Sequence, residues 1–171
     1  MRAILALASF TLLIHPALAQ QPADGQKVMV GPWAIETTYK GEQFEHCTMT
    51  RSTPDFDVVF LRNGDGTVLV LKSPNWRLER GKAYDVRLSA GSQSIDATAL
   101  AESSSVTIAL PDQPFNKRLR MANRLNVQGE GAVMTVPLDG SKAGLERLDQ
   151  CFEKNSQGAA SNPFVAPERR P

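Results

Sequence analysis

The amino-acid sequence predicts an all-β domain, a sandwich or a partly open antiparallel barrel, with a C-terminal helix closed onto it by a disulfide bond. Three observations lead to this fold class. Between residues 31 and 140, short runs alternate apolar and polar residues and are separated by Gly, Asn, Asp and Pro, which is typical of half-buried strands. After Gly140, apolar residues recur at spacings of three and four, as in an amphipathic helix. The chain contains only two cysteines, one in each kind of segment.

Residues 1–19 have the three parts of a secretory signal peptide. Arg2 supplies a positive charge, the stretch from Ile4 to Ile14 is largely apolar, and Ala17-Leu18-Ala19 matches an A-x-A cleavage signal. The apolar stretch is shorter than the roughly 20 residues that a membrane helix needs. We therefore expect cleavage near Ala19, a periplasmic or secreted protein, and no transmembrane segment in the mature chain.

The expected mature chain has the size of one domain and balanced charge. Cleavage would leave about 150 residues, enough for one hydrophobic core. The full chain has 19 Lys and Arg against 18 Asp and Glu, so losing Arg2 would make the numbers equal. Nucleic-acid-binding proteins usually carry strong positive charge, so we expect no nucleic acid partner. The sequence predicts a flexible lead-in over residues 20–30, one β-rich domain over 31–155, and a disordered tail over 156–171.

The strand signals follow one another along this domain. The clearest is a hairpin, in which residues 57–62 and 67–72 flank Asn63-Gly64-Asp65-Gly66, residues that tolerate the positive φ of tight turns. Residues 94–100 and 105–110 form a second predicted hairpin. Further strands are predicted over residues 33–39, 44–51, 83–88, 125–127 and 132–136.

Two helices are predicted. The first spans Pro114 to Asn123, because proline suits a first turn and the apolar residues of this segment share one face. The second begins at Gly140-Ser141, with Ser141 as its N-cap. Its apolar stripe comprises Leu145, Leu148 and Cys151 or Phe152.

The two cysteines, Cys47 and Cys151, predict a covalent link between sheet and helix. An even number of cysteines in an exported chain indicates a disulfide bond. Cys47 falls on an early predicted strand and Cys151 on the apolar stripe of the last helix. The bond closes a loop of about 100 residues, for which the chain-entropy model gives a stabilisation of at most about 4.7 kcal/mol.

Catalytic and metal-binding patterns are scarce. After cleavage His46 would be the one histidine, so any Ser-His or Cys-His mechanism would depend on it. Neither a G-x-S-x-G elbow nor an S-x-x-K pair occurs. One histidine and two oxidised cysteines cannot form a zinc site of the usual kind. We therefore predict no metal or cofactor, and we interpret His46 as a half-exposed strand residue.

Four cations lie close together with no acid among them, namely Lys117, Arg118, Arg120 and Arg124. One interpretation is a local anion-binding site for lipopolysaccharide phosphates, an anionic polymer or an acidic partner. The other is a solvated helix face whose charge is balanced by acids elsewhere in the fold. The sequence leaves both interpretations open.

Three segments carry a resemblance to a known group of proteins: Trp33, the stretch Gly81-Lys82-Ala83-Tyr84-Asp85-Val86, and the closing segment from Val136 to Cys151. Across residues 31–155 the chain resembles small exported alphaproteobacterial proteins of uncharacterised function, which are distantly similar to the invasion-associated locus B family. That family is periplasmic and linked to host-cell entry. The resemblance implies a periplasmic β-rich domain and supplies no catalytic residues.

The leading functional interpretation is a non-enzymatic periplasmic or secreted binding protein of the cell envelope or host interface. Its partner would be an envelope or host protein, still unknown, or an anionic envelope component. Three alternatives remain at this point: an inhibitor of a hydrolase such as lysozyme, a hydrolase of unrecognised type that uses His46, and an assembly or docking factor. The last of these predicts an exposed apolar patch.

Overall fold

The computed structural model describes residues 27–111 and 114–159, with side chains described as far as Ser156. The predicted signal peptide and residues 160–171 of the predicted tail lie outside the described residues. Ten strands and two helices follow in chain order: β1 (Val28–Val30), β2 (Trp33–Lys40), β3 (Gln43–Ser52), β4 (Asp57–Asn63), β5 (Gly66–Lys72), β6 (Ala83–Ala90), β7 (Gln93–Ala101), β8 (Ser105–Leu110), α1 (Phe115–Leu119), β9 (Arg124–Gln128), β10 (Val133–Pro137) and α2 (Ser141–Ala159).

The strands form one antiparallel sheet in the order β1-β2-β3-β4-β5-β8-β7-β6-β9-β10. This confirms the predicted mostly antiparallel β fold with a C-terminal helix. The hairpin predicted around Asn63 joins β4 to β5. The Oδ1 atom of Asn63 accepts hydrogen bonds from the backbone N–H groups of Asp65 at 3.0 Å and Gly66 at 3.2 Å, which fixes the turn.

One face of the sheet is buried along nearly all of its length. Buried apolar residues of β2 to β10 and of both helices belong to one core cluster, whose largest members are Trp33, Phe60, Phe115 and Met49. A twisted ten-stranded sheet encloses such a core by curling or by folding over into two packed layers. The sheet order, with β1 and β10 as its two edges, agrees with the predicted sandwich or partly open barrel.

The two ends of the sheet approach each other just after β10. The Nε1–H of Trp33, on β2, donates a hydrogen bond to the backbone carbonyl of Asp139 at 2.8 Å. Arg51, on β3, reaches the Asp139 carboxylate at 3.0 Å. These contacts join the first strands to the segment after β10. In the part of the chain that the structure describes, β1 and β10, the two edge strands, do not pair with each other.

Helix α2 packs on β1 to β4, and the disulfide bond fixes it there. The Cys47–Cys151 bond is present, with a Cα–Cα distance of 6.2 Å, as predicted. Cys47 has no exposed surface, so the link lies beneath the helix. Within the described part of the chain, no helix is long and apolar enough to cross a membrane.

Three local features differ from the sequence-based expectation. Val28–Val30 pairs with β2 as β1, where a flexible lead-in was predicted, because three residues are too few to show a periodic pattern. Helix α1 ends at Leu119 rather than Asn123, since the chain must turn there into β9. Helix α2 continues to Ala159, four residues into the segment predicted to be disordered.

The start of α2 also differs. Ser141 is the first helical residue rather than the N-cap. The carbonyl of Gly140 accepts the hydrogen bond from the N–H of Gly144 at 3.1 Å, and Gly140 has a φ of 69°, which glycine adopts without strain. The hydroxyl of Ser141 is buried and has no hydrogen-bond partner among the described residues.

Candidate functional site

A cavity of about 520 Å³ lies between the β4–β5 hairpin and the two helices. Its cations are Arg62, near the end of β4, Lys117, on α1, and Arg120, the residue directly after α1. Thr67 at the start of β5 and Asn116 on α1 add neutral polar groups. Three separate segments of the chain therefore contribute polar side chains to one concave surface.

Helix α2 provides the rest of the wall. Leu145 and Leu148 are buried and form its apolar part. Asp149 contributes a carboxylate, whose Oδ2 lies 2.5 Å from Nη2 of Arg120. The ion pair joins the C-cap residue of α1 to α2 and is partly exposed, so its contribution to stability is modest, below about 1 kcal/mol. Its greater consequence is positional, because it fixes the Arg120 guanidinium at the cavity wall.

Arg62 is oriented by an aromatic ring of α2. Its guanidinium carbon lies 5.0 Å from the centroid of the Phe152 ring, a cation–π distance. Phe152 in turn packs against Phe44 with ring centroids 5.8 Å apart. Arg62 and Lys117 form no ion pair with any residue in the described ranges. Three cations and one carboxylate line the cavity, so it carries an excess of two positive charges.

The structure divides the four predicted anion-binding cations into two pairs. Lys117 and Arg120 line the cavity, whereas Arg118 and Arg124, which are exposed as Lys117 is, stand outside it. Sequence reasoning missed Arg62, which lies far earlier in the chain. A signal for it exists, because Val58, Phe60 and Arg62 occupy alternate positions of β4, which places an arginine on the core-facing side of a strand.

His46 lies on β3, opposite Thr38 of β2. Its side chain is 21% exposed and its Nδ1 is 3.5 Å from the Glu45 carboxylate. No serine, threonine or cysteine side chain in the described ranges is hydrogen-bonded to it, and the neighbouring Cys47 is in the disulfide. Residues 27–111 and 114–156 also contain no cluster of His, Cys, Asp and Glu that could bind a metal ion. The hydrolase interpretation stays a prediction, since among the described residues no nucleophilic side chain is hydrogen-bonded to His46.

A second concavity, of about 540 Å³, is mostly apolar and is lined by loop residues and by residues of β8 and β10. The Phe56 and Trp76 rings stack there with centroids 6.5 Å apart. Leu78, Val106 and Met134 extend the apolar lining, and Val133 beside them is 57% exposed. Phe56, Trp76 and Leu78 are partly buried and Val106 is buried, so the docking-factor interpretation, which expects an exposed apolar patch, stays a prediction.

Comparison with solved structures identifies a protein of the same fold. The chain matches the crystal structure of invasion associated protein B from Bartonella henselae with a TM-score of 0.56. The two proteins share a fold. They are 18% identical, and the match covers 75% of this chain and 98% of that chain. No protein-family model and no curated protein sequence matches the chain.

Proposed function

We propose that this chain is a non-enzymatic binding protein of the cell envelope or host interface, which holds an anionic component in the cavity lined by Arg62, Lys117 and Arg120. The observation that carries the proposal is the convergence of these three cations from two separate segments, the end of β4 and the segment around α1, on one concavity. Arg118, on α1, and Arg124, on β9, are exposed and do not line it.

The surroundings of the cavity favour anion binding. Walls of low dielectric constant concentrate the field of charges that line a cleft. The Asp149 pair and the Phe152 ring restrict the Arg120 and Arg62 side chains, so less conformational entropy is lost when a ligand binds. The disulfide bond adds rigidity, because it fixes α2, one wall of the cavity, to the sheet.

The proposed compartment is the periplasm or the exterior of the cell. Disulfide bonds persist chiefly in oxidising compartments, and the Cys47–Cys151 bond is present. The N-terminal signal-peptide pattern indicates export. The fold shared with invasion associated protein B agrees with the β-rich domain that the sequence resemblance implies.

The proposal is tested by measuring the binding of mature protein to polyphosphate and to polyglutamate. The double variant Arg62→Gln/Lys117→Gln should bind at least about tenfold more weakly. A tenfold loss of affinity corresponds to about 1.4 kcal/mol, which is only a small part of the binding free energy that two charge-assisted contacts supply. The matched control Arg118→Gln/Arg124→Gln removes the same charge outside the cavity and should lose less than about threefold.

Two outcomes would contradict the proposal. Equal losses in the two double variants would show that the cations act as a diffuse charged surface. Turnover of a substrate that His46→Ala abolishes would show an enzyme instead. Unchanged near-UV circular dichroism of the variants establishes that the fold is retained.

A further inference from the structure

We infer that the ligand of the cationic cavity carries a phosphate monoester group, which Arg62 and Lys117 bind through its two negative charges. This inference rests on the proposed function and names the chemical class of its ligand. Arg120 would act through its remaining N–H groups, and Thr67 and Asn116 would supply neutral hydrogen-bond donors.

The charge of the cavity matches a dianion. Arg120 is neutralised by Asp149 at 2.5 Å, which leaves Arg62 and Lys117 as the cations without an ion-pair partner among the residues that the structure describes. A phosphate monoester carries a charge of about −1.5 to −2 at pH 7. A carboxylate carries a single charge and would leave one of the two cations uncompensated.

The types of donor also suit phosphate. Arginine presents a rigid fork of N–H groups to two oxygens, while lysine acts as a compact point charge. Arg62 comes from the sheet side of the cavity and Lys117 from α1, so the two approach a ligand from different elements. A tetrahedral group offers oxygens in several directions, whereas a planar carboxylate offers two in one plane.

The size of the cavity indicates that the phosphate belongs to a larger molecule. Its volume of about 520 Å³ lies within the range of small-ligand sites, about 300–1,000 Å³, and is far more than one phosphate group fills. Leu145 and Leu148 form an apolar wall beside the cations. A free phosphate ester and a phospholipid headgroup both present this chemistry, a charged group joined to a less polar body.

The test measures competition with labelled polyphosphate by glycerol phosphate, inorganic phosphate and acetate, at about pH 5 and about pH 7.5. The second pKa of a phosphate monoester is near 6, so the monoester gains its second charge between these values. We expect glycerol phosphate to compete at least about fivefold better at the higher pH and acetate to compete weakly at both. Arg62→Gln and Lys117→Gln should each remove this pH dependence, and Arg118→Gln should retain it.

Vesicles distinguish the two sources of the phosphate. Binding to phosphatidic acid vesicles but not to phosphatidylglycerol vesicles would identify a lipid monoester as a ligand, and competition by glycerol phosphate without vesicle binding would identify a free ester. Either result supports the inference. Equal competition by acetate and glycerol phosphate would overturn it while polyanion binding, and with it the proposed function, stands. If the wild-type protein did not bind polyanions at all, both the inference and the proposed function would be overturned.

Discussion

At the scale of single residues, Gly144 is the position where α2 approaches the core most closely. A methyl group there would stand 2.6 Å from Sδ of Met49, a residue with no exposed surface. Overpacking of this kind costs about 1–3 kcal/mol, whereas replacing a helical glycine with alanine gains about 1 kcal/mol. We predict that Gly144→Ala lowers the free energy of unfolding by about 1 kcal/mol, measured by urea denaturation.

The companion measurement uses Met49→Ala, which removes the clashing sulfur. Trp33 Cγ then remains at 3.5 Å, an ordinary van der Waals contact. In this background Gly144→Ala should raise the free energy of unfolding by up to about 1 kcal/mol. The same sign in both backgrounds would show that the close approach to Met49 does not decide the stability.

Two further residues show what the sequence could not resolve. Ser141 has the side chain and position of an N-cap, but a serine preceded by glycine allows two starting points for the helix, one residue apart. The fold favours the start after Gly140, because its φ of 69° suits glycine and a Cβ there would stand 3.2 Å from Cδ of Pro32. Arg62 could have been recognised as inward-facing from the alternation of β4, but its neighbours in the cavity come from distant segments that no local pattern brings together.

At the scale of elements, the disulfide bond is the covalent attachment of α2. Removing it with Cys47→Ala/Cys151→Ala should lower the free energy of unfolding by several kcal/mol, at most about 4.7, because the loop it closes spans 104 residues. Urea denaturation measures the loss. Hydrogen exchange should accelerate first in α2, whose remaining attachments are noncovalent, among them the packing of Leu145, Leu148 and Phe152 and the Asp149 ion pair.

The wild-type protein under reducing conditions is the matched control for the cysteine variant, since reduction breaks the same bond without changing the side-chain skeleton. The two should unfold at urea concentrations close to each other. An unchanged midpoint on both reduction and substitution would show that packing alone fixes α2 to the sheet.

Elements differ in how well sequence predicts them. The two hairpins, β4–β5 and β7–β8, were predicted because a turn and its flanking alternation are local signals. Helix α1 was predicted too long because Ala122 continues its apolar face in sequence, while the turn into β9 is imposed by the sheet. β1 was missed since it gains its order from pairing with β2, which is a property of the neighbouring strand.

At the scale of the whole molecule, the contacts around Asp139 hold the first strands of the sheet to the segment that follows its last strand. The Trp33 indole donates to the main-chain carbonyl of Asp139 at 2.8 Å, while Arg51 pairs with its carboxylate at 3.0 Å. Trp33 has no exposed surface, and the Asp139 side chain is 68% exposed. A partly buried hydrogen bond from a buried indole is less screened than an exposed ion pair, so the Trp33 contact should dominate.

Two substitutions separate the contacts. Trp33→Phe should lower the free energy of unfolding by about 2 kcal/mol, because it removes the donor to the partly buried Asp139 carbonyl and shrinks a core side chain. Asp139→Ala keeps the main-chain carbonyl and loses only the ion pair, so it should cost less than about 1 kcal/mol. Both are measured by urea denaturation. A greater loss of unfolding free energy for Asp139→Ala than for Trp33→Phe would show that the exposed ion pair, rather than the buried indole, holds the two ends of the sheet together.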